Sequence, residues 1–255
     1  PSLFTIHNIH TQEATLAQLE NTGIPAGDFW DELYFGSYPE SFDESYWANP
    51  IDLLASGISA ATHTNVVSPT FLDEVAMGHH STIPPHLSHL LYHKREAGIA
   101  SGIVNAPDRS FNPQIDPYLP EKYGPRRHHT IKPKLKKDLQ KRLLLKEDPS
   151  VPILFWPSRL DPIQKGCSLL ADILFQLIND YSHLGLQIVM IADGPYQQHF
   201  QGIVAYHGIS DRIAVQPFSE SLSHLGYGGS DFVLMPSSFE PCGLPQMIGG
   251  RYGSL

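Results

Sequence analysis

From residue 151 to residue 160 the sequence reads VPILFWPSRL, and from residue 184 to residue 194 it reads LGLQIVMIADG. Both runs are largely apolar and end in Gly, Pro or polar residues, which is typical of strands that are buried on both faces. The segments 167–181 and 196–208, which follow them, predict helices. Strands that alternate with helices in this way predict an α/β fold with a parallel sheet covered on both sides.

The same alternation continues towards residue 255. Residues 211–218 and 231–240 predict two further strands, and residues 221–230 predict a short helix. The carboxyl ends of parallel strands meet at one edge of a sheet, and ligands bind there. We therefore expect the chemistry of the protein at the residues that follow these strands, which include Arg159, Asp193, Phe218 and Glu240.

Composition narrows the class of protein. The chain has 255 residues, enough for one large domain or two modest ones, and its 41% hydrophobic content predicts a packed core. No apolar run approaches the ~20 residues that span a bilayer, so we expect no membrane partner. The first residues, PSLFTIHNIH, lack the basic region of a signal peptide and look like a strand entered midway.

Cysteine and histidine usage predicts neither disulfides nor a metal site. The two cysteines give no disulfide framework, which fits a reducing compartment. The fourteen histidines are scattered and show no zinc-type spacing. We therefore expect a chain without a metal.

Charge is unevenly distributed within a net charge of −9. Residues 1–93 contain eleven Asp and Glu but no Lys or Arg, whereas residues 126–146 hold nine of the seventeen basic residues. A basic stretch can bind nucleic acid. Leu135, Leu139 and Leu143 recur every four residues, however, which favours an amphipathic helix with a solvated basic face. No aromatic residues interleave with the charges, so we expect no nucleic-acid partner.

The first hundred residues predict further α/β elements. Residues 3–10 predict a buried strand that runs into a loop at His7 and Asn8. Residues 99–104 predict another strand, and the Pro-rich segment 109–125 predicts an irregular connection after it.

Residues 24–48 are rich in aromatic and acidic side chains and have two interpretations. Their rings could line a sugar-binding cleft, because aromatic faces cover the apolar faces of pyranose rings. The alternative is an irregular segment that packs its own core.

The polar residues at the strand ends suggest a nucleotide-sugar site. Arg159 and Lys165 place two cations on one loop, which suits a diphosphate, unless they are only a surface pair. Glu240 in SSFEPCGLPQ (237–246) either faces sugar hydroxyls or caps the helix that we expect to begin there. Neither a P-loop nor a GxGxxG motif is present, which argues against a Walker ATPase and an ordinary dinucleotide-binding protein.

Five segments, in chain order, resemble the bacterial glycogen synthases and the plant starch synthases. They are HNIHTQ (7–12), VSPTF (67–71), GIVNAPDRSFNPQIDPYLPEKY (102–123), SRLDPIQKG (158–166) and MPSSFEPCGLPQMIGGRYGSL (235–255). The last segment is the most specific to that family.

The resemblance implies a GT-B fold, in which two Rossmann-like domains with parallel sheets face a cleft, and both domains would be incomplete here. Residues 1–100 would be the C-terminal part of the N-terminal, acceptor-side domain. Residues 101–255 would be the N-terminal part of the C-terminal Rossmann-like domain, which binds the nucleotide sugar.

The resemblance also implies residue roles. Arg159 and Lys165 would bind the diphosphate and stabilise the leaving group, and Phe218, where the family commonly has Tyr, would stack on the base. Glu240 would accept hydrogen bonds from glucose hydroxyls. The backbone amides of Cys242, Gly243 and Leu244 would lie close to sugar and phosphate.

For the N-terminal half, the resemblance implies that His7 lies under the anomeric carbon. Asn8 would bind substrate beside it, and Asn105 would lie at the cleft.

Members of this family transfer glucose from a nucleoside diphosphate to the 4-hydroxyl at the non-reducing end of an α-glucan, with retention. The implied partners are a nucleotide sugar, ADP-glucose or UDP-glucose with ADP-glucose favoured, and glycogen or starch. No cofactor is implied, since the two cations take the place of a metal. The implied location is the cytoplasm, or the plastid stroma in a plant or alga.

The chain also departs from the family pattern. It lacks the Lys-x-Gly-Gly-Leu phosphate loop, the early acceptor-site Asp and the C-terminal Thr-Gly-Gly segment, so about half of a synthase is present. Ala55 stands where the family often has Lys, and Ser238 where it often has Arg. Two alternatives remain open: another retaining GT-B glycosyltransferase, although such relatives usually carry Glu where this chain has Ile248, or an inactive glucan-binding fragment.

Overall fold

Two parallel β-sheets organise the chain, one in each of two units. The structure is a computed structural model that describes residues 1–255. The first unit comprises residues 1–105, and the second comprises residues 106–255. None of the helices combines the length and the apolar character that a membrane crossing requires.

The first unit contains a three-stranded parallel sheet, a two-stranded antiparallel ladder and five α-helices. The strands are β1 (Leu3–Ile6), β2 (Glu13–Ala14), β3 (Ile51–Asp52), β4 (His63–Val66) and β5 (Ala100–Gly102). The helices are α1 (Leu16–Asn21), α2 (Phe42–Ala48), α3 (Leu53–Ala60), α4 (Pro69–Ala76) and α5 (Pro85–Glu96). The parallel sheet has the order β1-β4-β5, so β1 and β5 are its edges.

Local sequence sets where these helices begin. The Thr15 hydroxyl accepts a hydrogen bond from the Gln18 amide, and the Gln18 side chain accepts one from the Thr15 amide, so α1 begins with a capping box. Ser68 caps α4 by accepting from the Phe71 amide, and Pro69 then occupies the first turn, where its missing N–H is not needed.

Strand β1 is less buried than the sequence predicted. Ile6 is buried, but Leu3 is 65% exposed. The reason is the position of β1 at a sheet edge, where β4 is its only neighbour.

The aromatic segment 24–48 packs a local core, as the second of its two interpretations predicted. Trp30 meets both Phe35 and Phe42 edge to face, at centroid distances of 6.3 and 6.1 Å. These rings pack around the buried side chains of Leu16 and Ile51. Phe35 is buried and Trp30 and Phe42 are partly buried, whereas Tyr38 and Trp47 are 92% and 74% exposed. The first interpretation, a sugar-binding role of the aromatic rings, stays a prediction.

The second unit contains a four-stranded parallel sheet and five α-helices. The strands are β6 (Ile153–Trp156), β7 (Gln187–Ile191), β8 (Ile213–Gln216) and β9 (Phe232–Val233). The helices are α6 (His128–Arg142), α7 (Cys167–Asp180), α8 (Gln197–His207), α9 (Glu220–Gly229) and α10 (Leu244–Tyr252). The strand order is β8-β7-β6-β9, and every pairing is parallel, as predicted.

Successive side chains of these strands enter two separate cores. Phe155 and Val189 belong to one cluster, whereas Trp156 and Met190 belong to the cluster on the other face. All four are fully buried, which explains why β6 and β7 are continuous apolar runs.

Strand β9 is much shorter than the predicted strand over 231–240. It pairs with β6 only at Phe232 and Val233, although the Leu234 amide still donates to the Phe155 carbonyl at 2.8 Å. Pro236 has no N–H with which to continue the ladder, and the chain leaves the sheet there.

The predicted solvated basic face of α6 is wrong for two lysines. Lys136 is buried and donates to Asp231 at 2.7 Å. Lys132 is also buried, and its ammonium donates to the carbonyls of Tyr227, Gly228 and Tyr252 at 3.1–3.3 Å. These carbonyls lie at the ends of α9 and α10, where a cation is favoured. Burial lowers the pKa of Lys132 to about 8.

The Pro-rich connection is fixed to the second unit through Asp116, which is fully buried. The Asp116 carboxylate accepts hydrogen bonds from His224 Nδ1 at 2.8 Å and from the Tyr252 hydroxyl. Phe111, from the same connection, stacks on the His224 ring at 4.1 Å. Burial opposes ionisation of Asp116, but the bonds from His224 and Tyr252 outweigh it and hold the pKa of this carboxyl below its usual value.

We predict that Asp116→Asn lowers the free energy of unfolding by about 3 kcal/mol, the typical effect of removing one partner from a buried charged network. Because the folded-state pKa is depressed, Asp116 stabilises the fold above its unfolded pKa near 4, and this contribution is lost as the pH falls through the folded pKa. Urea titrations at pH 7 and pH 3 should therefore show a smaller loss on acidification for Asp116→Asn than for the wild type. Asp172→Asn, at an exposed position of α7, is the control. An equal loss of unfolding free energy between pH 7 and pH 3 in all three proteins would contradict the prediction.

Candidate functional site

The carboxyl edge of the second sheet brings together the charged residues that the sequence placed at its strand ends. The loop after β6 carries Arg159 and Lys165, the loop after β8 carries Phe218, and the loop after β9 carries Glu240. Parallel pairing puts all three loops on one edge, as the sequence predicted.

A pocket of about 430 Å³ opens at this edge. It is lined by Pro157, Arg159, Asp161, Ala192, Asp193, Gly194, Pro195 and Phe218. The Phe218 ring is 58% exposed, and Arg159 is exposed as well. The pocket therefore presents an aromatic face and a guanidinium to one ligand-sized space.

Backbone contacts hold the walls of this pocket in place. The Leu160 amide donates to the Asp193 carbonyl at 2.9 Å, and the Phe218 amide donates to Asp193 Oδ1 at 3.0 Å. Gly194 has a φ of +150°, and a Cβ there would lie 2.6 Å from the Leu160 carbonyl oxygen. Only glycine allows the loops after β6 and β7 to approach so closely.

Lys165 and Glu240 form an ion pair beside the pocket. The Lys165 ammonium lies 2.6 Å from Glu240 Oε1, which also accepts from the Ser237 hydroxyl at 2.6 Å. The Lys165 and Glu240 side chains are only 11% and 22% exposed. Lys165 is therefore not part of a surface pair with Arg159. Glu240 does not cap α10, because the N-cap is Gly243 and no side chain accepts a hydrogen bond there. The sequence did not predict that Lys165 and Glu240 contact each other.

The ion pair depends on close packing between the loops after β6 and β9. Gly166 has a φ of +71°, and a Cβ on it would lie 2.1 Å from the Pro236 carbonyl oxygen. The Ser238 amide donates to the Gln164 carbonyl at 2.9 Å, and the Gln164 side chain donates to the Phe239 carbonyl at 3.2 Å. These hydrogen bonds position Glu240 next to Lys165.

Helix α10 begins directly after this turn, as the sequence predicted. Its N-cap is Gly243, with a φ of +77° and no side-chain cap, and Leu244 is its first residue. Cys242 and Leu244 are partly exposed. Backbone amides without a side-chain cap at a helix N-terminus favour an anion or another acceptor.

The three remaining predicted residues belong to the first unit. His7, exposed, and Asn8 follow β1, whereas Asn105, partly buried, follows β5. Strand β4 separates β1 from β5, so these residues occupy the two ends of the carboxyl edge of the first sheet. Their contacts with substrate stay predictions.

No three His, Cys, Asp or Glu side chains lie close enough together to hold a metal ion. Neither cysteine forms a disulfide, and burial raises the pKa of the Cys167 thiol to about 11, which makes it unreactive at neutral pH. Two acidic residues of the pocket, Asp161 and Asp193, were left without a role by sequence reasoning, and Asp193 lies at the end of β7. Its signal was an acidic residue directly after a buried strand.

Comparison with known proteins finds similarity to glycogen and starch synthases. The model of the starch synthase catalytic domain matches residues 1–86. Glycogen synthase 2 of Methylococcus capsulatus is 34% identical over 263 residues, which cover 99% of this chain and 49% of that protein. Glycogen synthase of Pectobacterium atrosepticum is 34% identical over 263 residues, which cover 100% of this chain and 50% of that protein. The chain thus spans about half the length of the curated relatives it matches.

Solved structures of glycosyltransferases also match this chain. The catalytic domain of starch synthase IV from Arabidopsis thaliana, bound to ADP and acarbose, matches with a TM-score of 0.78 and 28% identity, over 99% of this chain and 49% of that one. WaaG, a glycosyltransferase involved in lipopolysaccharide biosynthesis, matches with a TM-score of 0.52 and 11% identity, over 99% of this chain and 55% of that one. The fold is that of the GT-B glycosyltransferases, as the sequence resemblance implied. Within that class, the chain is similar over nearly its whole length to glycogen synthases and to a starch synthase.

We predict that Gly166→Ala destabilises the second unit by about 2 kcal/mol or more, because the substitution adds a backbone clash to the cost of a positive φ. Urea unfolding measures the change. Gly208→Ala is the matched control, since Gly208 also has a positive φ, of +64°, but has open space around its Cβ position. Equal losses in the two variants would show that the contact with Pro236 does not matter.

Proposed function

We propose that this chain provides the donor-binding part of a glucosyltransferase. The reaction moves glucose from a nucleoside diphosphate glucose, ADP-glucose in preference to UDP-glucose, to the non-reducing end of an α-1,4-glucan, with retention. The observation that carries the proposal is the pocket in which Arg159 and Phe218 meet, with Lys165 and Glu240 paired beside it. Similarity to the glycogen synthases and the ADP and acarbose bound to Arabidopsis starch synthase IV support it.

Each group has a role that follows from its chemistry. The base stacks on the exposed Phe218, a kind of contact that contributes about 1–3 kcal/mol per base in proteins that bind single-stranded nucleic acid. The Arg159 guanidinium and the Lys165 ammonium bind the diphosphate. The amides of Cys242, Gly243 and Leu244 donate to phosphate or sugar oxygens.

In this proposal, Lys165 and Glu240 exchange partners when the donor binds. Lys165 leaves the Glu240 carboxylate for the diphosphate, which carries more negative charge. Glu240 is then free to accept hydrogen bonds from glucose hydroxyls. The ion pair therefore keeps both groups in place until substrate replaces each partner.

Catalysis then consists of positioning and charge stabilisation. The bond between the anomeric carbon and the diphosphate oxygen breaks, and Arg159 and Lys165 stabilise the charge that develops on the leaving group. The acceptor 4-hydroxyl attacks from the same face, which retains the configuration, and its proton passes to the departing phosphate. For the first unit the proposal rests on the family resemblance alone, which assigns His7, Asn8 and Asn105 to substrate binding.

Calorimetry with ADP in EDTA tests the proposal. We expect the wild-type chain to bind ADP, and Arg159→Ala to weaken binding by about 10- to 100-fold, because a charge-assisted hydrogen bond contributes about 1.5–3 kcal/mol. Arg126→Ala is the control, because Arg126 is exposed and does not line the pocket. This variant should bind ADP like the wild type. Glu240→Gln should tighten ADP binding by about two- to fivefold, because Lys165 no longer has to leave a carboxylate.

The Glu240 variant also separates binding of the nucleotide from binding of the glucosyl group. With ADP-glucose, Glu240→Gln should lose the additional affinity that the glucosyl group gives the wild type. Failure of the wild type to bind ADP, or unchanged binding after loss of Arg159, would contradict the proposal.

A further inference from the structure

The strand order of the second sheet also orders the polar groups along its carboxyl edge. Phe218 follows β8, Asp193 follows β7, Arg159 and Lys165 follow β6, and Glu240 follows β9. Neighbouring strands lie ~4.8 Å apart, so the strand ends that carry these loops succeed one another at intervals of that size.

A nucleoside diphosphate hexose has a matching linear order of base, ribose, diphosphate and hexose. The proposed function assigns the base to Phe218, the diphosphate to Arg159 and Lys165, and the hexose to Glu240. The end of β7 then falls beside the ribose. We infer that Asp193 binds the ribose hydroxyls of the donor nucleotide and thereby favours ribonucleotides over 2′-deoxyribonucleotides, an inference that rests on the proposed function.

The contacts of Asp193 fit this role. It lines the pocket with Arg159 and Phe218, and its side chain is exposed there. Oδ1 accepts the Phe218 amide at 3.0 Å, which leaves Oδ2 for a ligand. A carboxylate accepts hydrogen bonds and donates none, so it suits the two hydroxyls of a ribose. A carboxylate at the end of a strand has this role in dinucleotide-binding sheets.

Each carboxylate oxygen has a separate task. Oδ1 positions the loop that carries the Phe218 ring, whereas Oδ2 contacts the ligand. Asp193→Asn keeps an oxygen for the Phe218 amide but removes the charged acceptor. Asp193→Ala removes both, so the two variants distinguish positioning from recognition.

Calorimetry with ADP and with 2′-deoxy-ADP tests the inference on the wild type and both variants. We expect the wild type to favour ADP by about tenfold, the equivalent of one charge-assisted hydrogen bond. Asp193→Asn should bind the two nucleotides about equally. Asp193→Ala should also bind them equally and should weaken both further, because the Phe218 loop is released. Asp211→Asn, at the amino end of β8, should keep the wild-type ratio.

Two results would overturn the inference while leaving the proposed function in place. The first is a wild type that binds ADP and 2′-deoxy-ADP equally well. The second is an Asp193→Asn variant that keeps the tenfold preference. A wild type that binds neither nucleotide would instead overturn the proposed function, and the inference with it.

Discussion

Parallel pairing of β6, β7, β8 and β9 decides where every polar group of the candidate site lies. The register aligns Trp156 with Met190 and Phe155 with Val189, so that each pair enters one of the two cores. A slip of one residue would exchange the side chains of the two faces. Because both faces are buried, such a slip would disrupt the packing of both cores. The buried strands β6, β7 and β8 thus fix the sheet, and the sheet fixes the four loops that follow its strands.

Loop packing then turns a shared edge into a specific site. Gly166 permits contact with Pro236, and this contact brings the turn before α10 against the loop that carries Lys165. The resulting ion pair with Glu240 is mostly shielded from water. A shielded ion pair gains little net stability, because desolvation offsets the attraction. Exchange of its partners for a diphosphate and a sugar therefore costs little, which suits a binding site better than a purely structural contact.

The sequence predicted the features that depend on local pattern. Continuous apolar runs predicted β6, β7 and β8, and the residues after β6 and β8 predicted which loops would carry Arg159 and Phe218. The contact between Lys165 and Glu240 was not predictable, because 75 positions separate them and their approach depends on the fold around Gly166. The burial of Lys132 was missed for a similar reason. The periodicity of α6 shows which face of the helix is apolar. It does not show that carbonyls at the ends of α9 and α10 accept hydrogen bonds from Lys132.

The most direct test of the account is a crystal structure of this chain with ADP-glucose. The account predicts the base on Phe218, the ribose beside Asp193, the diphosphate within hydrogen-bond distance of Arg159 and Lys165, and the glucosyl group at Glu240, with Lys165 and Glu240 no longer paired. A nucleotide bound in the opposite direction along β8-β7-β6-β9 would contradict it. So would binding elsewhere, such as in the pocket lined by Tyr123 and Arg251.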